Sequence, residues 1–192
     1  MPPIVLSRIT PKQILTIKNG INSYLYIKSN YDPFDNDFRD VFTDFYLSAQ
    51  GVMKKPGNRN PYFAEMDVCT GTEHLIDIVD RLFVSLAVGK YEFSFATKLL
   101  HTKNTNSPIY DSKVREYLKT EEHVDFHYYY RSAGSKRDMI AHDWDLLVDW
   151  YNRFLPTPRA RSWINWFDTN FSFAAHSISD VKKIDFIIFA CN

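Results

Sequence analysis

The sequence predicts an all-α protein, and two observations support that prediction. Apolar residues recur at intervals of three and four along several segments, most clearly in residues 72–89, TEHLIDIVDRLFVSLAVG, which is the spacing of one buried helix face. Runs with strand character, such as residues 125–130, are short and lack a partner run. The chain has 192 residues, enough for one core, so we expect a single helical domain over residues 1–192 with two closely packed helical lobes.

The first half of the chain carries clear helix boundaries. The tetrapeptide TPKQ at residues 10–13 is a capping box with proline at the first helical position, and it predicts a helix through about residue 17 or further. Residues 34–51 place aromatic side chains on one helical face and end at a glycine. An Asn-Pro pair at residues 60–61 predicts the start of a short helix that ends near Cys69.

The second half of the chain predicts five further helices from the same periodicity and from proline, glycine and cap residues at their boundaries. We expect them over residues 90–101, 111–118, 138–154, 159–171 and 177–191.

Composition excludes several classes of function. The chain has 23 basic and 23 acidic residues and no net charge, so an anionic partner has to be bound by a local patch. Two cysteines, Cys69 and Cys191, make no disulfide framework, and no Cys/His spacing predicts a zinc site. No signal peptide and no apolar run of membrane-spanning length is recognised. We therefore expect a cytoplasmic protein with no membrane partner.

Asp111 is the residue to which we assign the chemistry. It follows Pro108-Ile109-Tyr110, three residues that open a helix after a polar loop. One interpretation is that Asp111 only caps the helix, since aspartate is favoured there. The other is a catalytic carboxylate, kept ionised by the free N–H groups and the helix dipole. The two interpretations are compatible.

Several segments resemble the helix-hairpin-helix DNA glycosylase superfamily, including small bacterial proteins of the oxoguanine-glycosylase fold. The resemblance is carried by the segments AVGK (87–90), YEFSFATKLL (91–100), PIYDSKV (108–114) and SDVKKIDFII (179–188). It implies that the protein flips a base out of double-stranded DNA and breaks its N-glycosidic bond, with Asp111 as the catalytic carboxylate. Val88, Gly89 and Lys90 lie at the turn between two predicted helices, where free backbone N–H groups and a lysine suit a DNA phosphate; the alternative is that Gly89 only forms the turn of an antiparallel helix pair.

The resemblance also indicates the type of glycosylase. Bifunctional members of the superfamily place a Schiff-base lysine two residues after the last hairpin glycine, and that position is Tyr91 in this sequence. Lys90 is one residue away, and we expect Lys98 to face solvent or a phosphate. These two lysines are the candidates for a lyase or phosphate-binding role. We therefore expect a monofunctional enzyme that leaves an abasic site.

Three basic segments are candidates for DNA binding, although basic residues in loops are also often merely solvated. The segments KKPGNR (54–59), GSKRD (134–138) and PRAR (158–161) place cations beside turn residues. Their candidate side chains are Lys54, Lys55, Arg59, Lys136, Arg137, Arg159 and Arg161.

A flipped base needs flat apolar partners, and the chain is rich in aromatic residues at 16%. The candidate base-pocket residues are Phe45, Tyr46, His101, Tyr110, Trp144 and Trp150; each could instead belong to the core. His123, Asp125 and His127 alternate in a way that could bind a metal or could simply be solvated. We expect no metal and no cofactor.

The resemblance thus implies a DNA glycosylase that acts on a damaged or modified base, and we expect it to be a monomer. The targets considered are oxidised or alkylated bases and modified phage bases such as glucosylated hydroxymethylcytosine, the last as an antiviral defence. Two alternatives stay open. One is a DNA-binding module of the same fold without chemistry, and the other is a helical protein-interaction domain.

Overall fold

The computed structural model describes residues 4–47, 56–86, 91–127 and 135–191. Within these ranges the regular structure is helical and contains no strand, which confirms the all-α prediction for this part of the chain. The α-helices are α1 Pro11–Ser29, α2 Asn36–Phe42, α3 Pro56–Val68, α4 Leu75–Ser85, α5 Phe93–Lys103, α6 Ser112–Glu121, α7 Lys136–Phe154, α8 Pro158–Asn170 and α9 Asp180–Cys191. A 3-10 turn covers Leu6–Arg8 and a π-helix covers Thr43–Leu47.

The capping box at the start of α1 forms as predicted. The backbone N–H of Thr10 donates to Gln13 Oε1 at 2.8 Å, and the backbone N–H of Gln13 donates to Thr10 Oγ1 at 3.3 Å. This reciprocal pair satisfies N–H groups that have no partner inside the helix. The helix then continues to Ser29, beyond residue 17, as the prediction allowed.

Helix α3 begins earlier than predicted. It runs from Pro56, so Pro61 lies inside the helix and does not open it. The prediction of a start at residues 60–61 is therefore wrong, because Pro56 takes the first position that proline favours. The buried residues Tyr62, Phe63 and Met66 follow, and their packing offsets the hydrogen bond that Pro61 cannot make. The predicted end near Cys69 is confirmed.

The aromatic segment over residues 34–51 does not form one uniform helix in its described part. Asp35 caps α2 by accepting from the N–H of Phe38 at 2.7 Å. The chain widens into the π-helix Thr43–Leu47 after Phe42. A π-helix turn holds more residues than an α-helix turn and is often found at functional sites, which the periodicity of apolar residues does not reveal.

The chain divides into two compact units. Unit 2 comprises Asn22–Asn104, in which α3 packs on α4 and α4 packs on α5. The core of unit 2 is aromatic, and the buried Tyr62 hydroxyl donates to the carbonyl of Phe95 at 3.2 Å.

Unit 1 comprises Met1–Ile21 with Thr105–Asn192, and it contains Asp111. Its last helix, α9, packs against α6 and α8. The rings of Phe167 and Phe186 are stacked between α8 and α9, with centroids 6.1 Å apart. Residues 181–188 of α9 are all buried, so α9 is a central helix of this unit. None of the described helices combines the length and apolar character needed to cross a membrane.

Candidate functional site

Asp111 is the N-cap of α6, and its side chain is half-buried. Its Oδ1 atom accepts hydrogen bonds from the backbone N–H groups of Lys113 at 2.9 Å and Val114 at 2.8 Å. Buried Ile109 and Tyr110 fix the chain just before it. The carboxylate is therefore held in one orientation at the positive end of the helix dipole.

The two oxygen atoms of Asp111 differ in their contacts. Both hydrogen bonds end on Oδ1, and Oδ2 accepts none from the described residues. A capping aspartate needs only one oxygen for the helix. Oδ2 therefore remains available as an acceptor for a ligand or a water molecule.

Lys113 connects the start of α6 to the end of α9. Its Nζ donates to the carbonyl of Phe189 at 3.0 Å and lies 4.4 Å from the centroid of the Phe189 ring. A cation over an aromatic face and a charged hydrogen bond reinforce each other. This contact fixes Asp111, two residues earlier, relative to α9.

Helix α9 contributes an ion pair that is buried almost completely. Lys182 Nζ lies 2.5 Å from Asp185 Oδ2, and the two side chains are 4% and 5% exposed. A buried pair of charges is expensive to desolvate and is weak evidence for stability alone. The pair places two charges inside a helix in which every residue from 181 to 188 is buried.

Tyr151 on α7 is a further buried polar residue of unit 1. The residue is 2% exposed, and its hydroxyl has no hydrogen-bond partner among the described residues. Burial raises the pKa of Tyr151 well above its usual value, and the negative charges of Asp185 and Asp111 raise it further. The hydroxyl of Tyr151 is therefore kept protonated and can act as a hydrogen-bond donor.

The candidate base-pocket residues differ in their surroundings. In unit 1, Tyr110 is buried and packs edge-on against Phe126 at 5.4 Å, whereas Trp144 is partly exposed. Trp150 is 5% exposed and stacks on Phe154 at 4.5 Å. One face of Trp150 is therefore closed to a base, and this residue belongs to the core.

The remaining pocket candidates lie in unit 2. Phe45 and Tyr46 belong to the π-helix, with ring centroids 4.4 Å apart. His101 is fully buried, and its ring lies 5.8 Å from that of Tyr24. The assignment of these residues to a base pocket stays a prediction.

The expectation that Lys98 faces solvent is wrong. Lys98 is 5% exposed and lies on α5, in which every residue from Phe95 to His101 is buried. The segment reads as amphipathic in sequence, but α5 is enclosed on all sides. Tyr91, which the resemblance aligns with a Schiff-base lysine, stacks on Phe83 with ring centroids 4.4 Å apart.

The predicted DNA-binding cations lie in helices where the structure describes them. Arg59 is in α3, Lys136 and Arg137 open α7, and Arg159 and Arg161 lie in the first turns of α8. The loop placement assumed from sequence is corrected accordingly. Basic residues near helix N-termini are disfavoured by the dipole, a cost that a bound phosphate relieves.

These cations differ in how far they are already neutralised. Arg59 pairs with Asp40 at 2.5 Å, and Arg159 pairs with Glu122. Lys136 and Arg161 are exposed and make no ion pair with any described side chain. The predicted contacts Lys54, Lys55, Val88, Gly89 and Lys90 lie outside the described residues.

The segment around His127 has a structural role. The backbone N–H of His127 donates to Asp143 Oδ1 at 2.7 Å, and its ring lies 4.7 Å from that of His142. Asp143 is fully buried. No cluster of metal-binding side chains is found within the described ranges.

Sequence reasoning did not single out Tyr151, Lys182 or Asp185, all of which are buried. The sequence did contain a signal for Lys182 and Asp185, because the segment VKKIDFII places charges inside an otherwise apolar helix. No family model, no curated protein and no solved structure matches the chain. The assignment of function therefore depends on the residues of unit 1 themselves.

Proposed function

We propose that the protein is a DNA glycosylase that hydrolyses the N-glycosidic bond of a flipped, modified or damaged base in double-stranded DNA. The observation that carries the proposal is the carboxylate of Asp111, fixed through Oδ1 on the N-terminus of α6 while Oδ2 accepts no hydrogen bond from the described residues. An oriented carboxylate is the group that glycosidic cleavage requires, because positive charge develops on the sugar.

The carboxylate can act in either of two ways. It can stabilise the positive charge that develops at C1′ as the bond to the base weakens. It can also accept a proton from the attacking water. Both roles need an ionised carboxylate in a fixed orientation, and the helix N-terminus favours the ionised form.

The enzyme we propose is monofunctional. A lyase reaction needs a lysine amine that attacks C1′, and Tyr91 stands at the position that the superfamily uses for this lysine. Lys98 is buried within α5, which disfavours attack on a sugar. The product is an abasic site with an intact DNA backbone.

The proposed partner is duplex DNA that carries an altered base. Among the cations predicted to bind DNA, Lys136 and Arg161 are exposed, and no acidic side chain of the described residues neutralises them, so both are free to bind phosphate. Modified phage DNA, including glucosylated hydroxymethylcytosine, is one target class, and repair of oxidised or alkylated bases is the other.

The test is base release from a panel of duplexes, with abasic sites detected by alkaline cleavage. The panel contains undamaged DNA and duplexes with uracil, oxoguanine, an alkylated base or glucosylated hydroxymethylcytosine. Each substrate is incubated with the wild type and with Asp111→Asn. Asparagine caps helices as well as aspartate does, so this variant removes the charge and keeps the fold.

A second candidate function is favoured by the same contacts. Oδ1 of Asp111 makes the complete pair of hydrogen bonds expected of a structural cap, as in a DNA-binding module without chemistry. A DNA-binding module without chemistry predicts that the wild type and Asp111→Asn both bind duplex in a salt-dependent way and that neither releases a base. A helical protein-interaction domain predicts no salt-dependent DNA binding.

A further inference from the structure

Lys113 occupies the second position of α6, directly after Ser112. The N-terminus of a helix carries a partial positive charge, so a lysine is disfavoured there. Asp111, the N-cap, is by contrast a residue that this end of a helix favours. Departures from local preference are expected where a residue serves a site, so the contacts of Lys113 are informative.

The end of α9 compensates for the unfavourable position of Lys113. The Lys113 Nζ atom donates to the carbonyl of Phe189 at 3.0 Å, and this carbonyl is one of the last four of α9, which have no partner within a helix. The C-terminus of a helix carries a partial negative charge that favours a cation. The ring of Phe189 is 42% exposed, and its centroid lies 4.4 Å from Nζ, so a cation–π contact adds to the hydrogen bond.

The backbone of the same lysine binds the carboxylate of Asp111. The N–H of Lys113 donates to Asp111 Oδ1 at 2.9 Å. Lys113 therefore holds the capping carboxylate through its backbone and the C-terminus of α9 through its side chain. Helices α6 and α9 pack against each other within unit 1, so the place of the carboxylate depends on how the first turn of α6 is fixed on the end of α9.

We propose that Lys113 is a positioning residue of the glycosylase reaction, an inference that rests on the proposed function. Its side chain anchors the first turn of α6 to Phe189 and thereby fixes where the carboxylate of Asp111 stands. A carboxylate that acts on developing charge has to be held in place before the reaction begins. Lys113 itself performs no chemistry and acts through Asp111.

The test measures base release in single turnover by Lys113→Met on the substrate found with the panel, at a temperature at which every variant is folded. Methionine keeps the backbone N–H that binds Asp111 and removes the ammonium. We expect the rate to fall by about 10-fold, less than the roughly 10²-fold cost of a displacement of about 1 Å, because the backbone hydrogen bonds to Asp111 remain. The affinity for DNA should not change.

Two further variants test whether the contact with Phe189 is the cause. Lys113→Arg keeps a cation that donates hydrogen bonds and stacks on an aromatic ring, and it should restore most of the lost rate. Phe189→Leu removes the ring and keeps the carbonyl, so we expect a smaller decrease than for Lys113→Met. The double variant should be no slower than Lys113→Met alone, because both changes remove one contact. Rate losses that add in the double variant would contradict the proposal.

Lys119→Met is the matched control. Lys119 is an exposed lysine of the same helix, so the substitution removes the same charge from α6 without touching the contact with α9. This variant is expected to keep the wild-type rate of base release. An equal decrease in both variants would assign the effect to the charge of α6 and overturn the positioning role of Lys113.

The outcomes separate this inference from the function on which it depends. If Lys113→Met lowers Tm but releases the base at the wild-type rate while folded, the contact only stabilises the fold and the positioning role is wrong. A loss confined to DNA affinity would also overturn that role. In both cases the glycosylase stands, provided that Asp111→Asn is inactive. If the wild type releases no base from any duplex, the inference and the proposed function are both overturned.

Discussion

Lys182 and Asp185 form a buried ion pair one turn apart on α9, with Lys182 Nζ 2.5 Å from Asp185 Oδ2. The pair lies within a helix whose other side chains from Val181 to Ile188 are buried as well. Both charges must be desolvated together, so each depends on the other. This dependence gives the first prediction.

Removing one member of the pair should destabilise the protein more than removing both. Lys182→Met leaves the carboxylate of Asp185 buried with its main counter-charge gone, and we expect a loss of about 3–5 kcal/mol in the free energy of unfolding. The double variant Lys182→Met with Asp185→Leu should recover most of that loss. Urea denaturation of the three proteins measures the difference. Equal losses in the single and double variants would show that the two charges are not coupled.

Loss of the hydroxyl group should lower the stability of the protein at Tyr117 but not at Tyr151. Tyr117→Phe removes a hydrogen bond to the carboxylate of Glu122 and should cost about 1.5–3 kcal/mol. Tyr151→Phe removes a hydroxyl without a partner among the described residues and should leave stability unchanged or raise it. Thermal unfolding of both variants without DNA checks this. A marked drop in Tm for Tyr151→Phe would mean that its hydroxyl is satisfied in the free protein.

Glu73 should make stability depend on acid pH. Partial burial acts to raise the pKa of Glu73, but hydrogen bonds from the N–H and hydroxyl of Thr70 and the N–H of Gly71 outweigh it and lower the pKa from 4.5 to about 2. A carboxylate with a lowered folded-state pKa stabilises the fold above pH 4.5, and this contribution is lost as the pH falls towards 2.

The pH dependence is measured on Glu73→Gln against the wild type. The variant should be less stable at neutral pH, and the gap in the free energy of unfolding should close between pH 4.5 and about 2. A gap that stays constant over this range would contradict the assigned pKa.

DNA affinity should depend on Lys136 and Arg161. If both contact phosphates, the variant with both residues changed to glutamine should bind duplex more weakly. Its plot of log K against log salt should be shallower by about 2, roughly one per cation. Arg153→Gln is the charge control, since Arg153 is exposed and paired with Asp149 at 2.7 Å. An unchanged slope in the double variant would remove these two residues from the interface.

Local signals in the sequence predicted much of the secondary structure. Three helix starts depend only on neighbouring residues: the capping box at Thr10, the Asp111 cap and the proline at the start of α8. A few consecutive residues are therefore enough to predict them. Pro61 shows the limit of this reasoning. Its position inside α3 depends on packing by residues distant in sequence.

The candidate site was predictable only in part. Asp111 was found because its cap chemistry is local, whereas Tyr151 looks like any other aromatic residue of an amphipathic helix. That its hydroxyl has no hydrogen-bond partner among the described residues is a result of tertiary packing, which no pattern within α7 encodes. The prediction that Lys98 faces solvent was wrong for a related reason, because the burial of residues 95–101 of α5 is a tertiary property.

The central claim is that the charge of Asp111 performs chemistry in addition to capping α6. The most direct test is the rate of base release from the panel by the wild type and by Asp111→Asn, with Tm measured on both. We predict release from one modified duplex, a decrease of about 10²–10⁴-fold in the variant and nearly equal Tm values. Duplex binding without base release from any substrate, or equal rates for the two proteins, would contradict the claim and leave Asp111 as a helix cap.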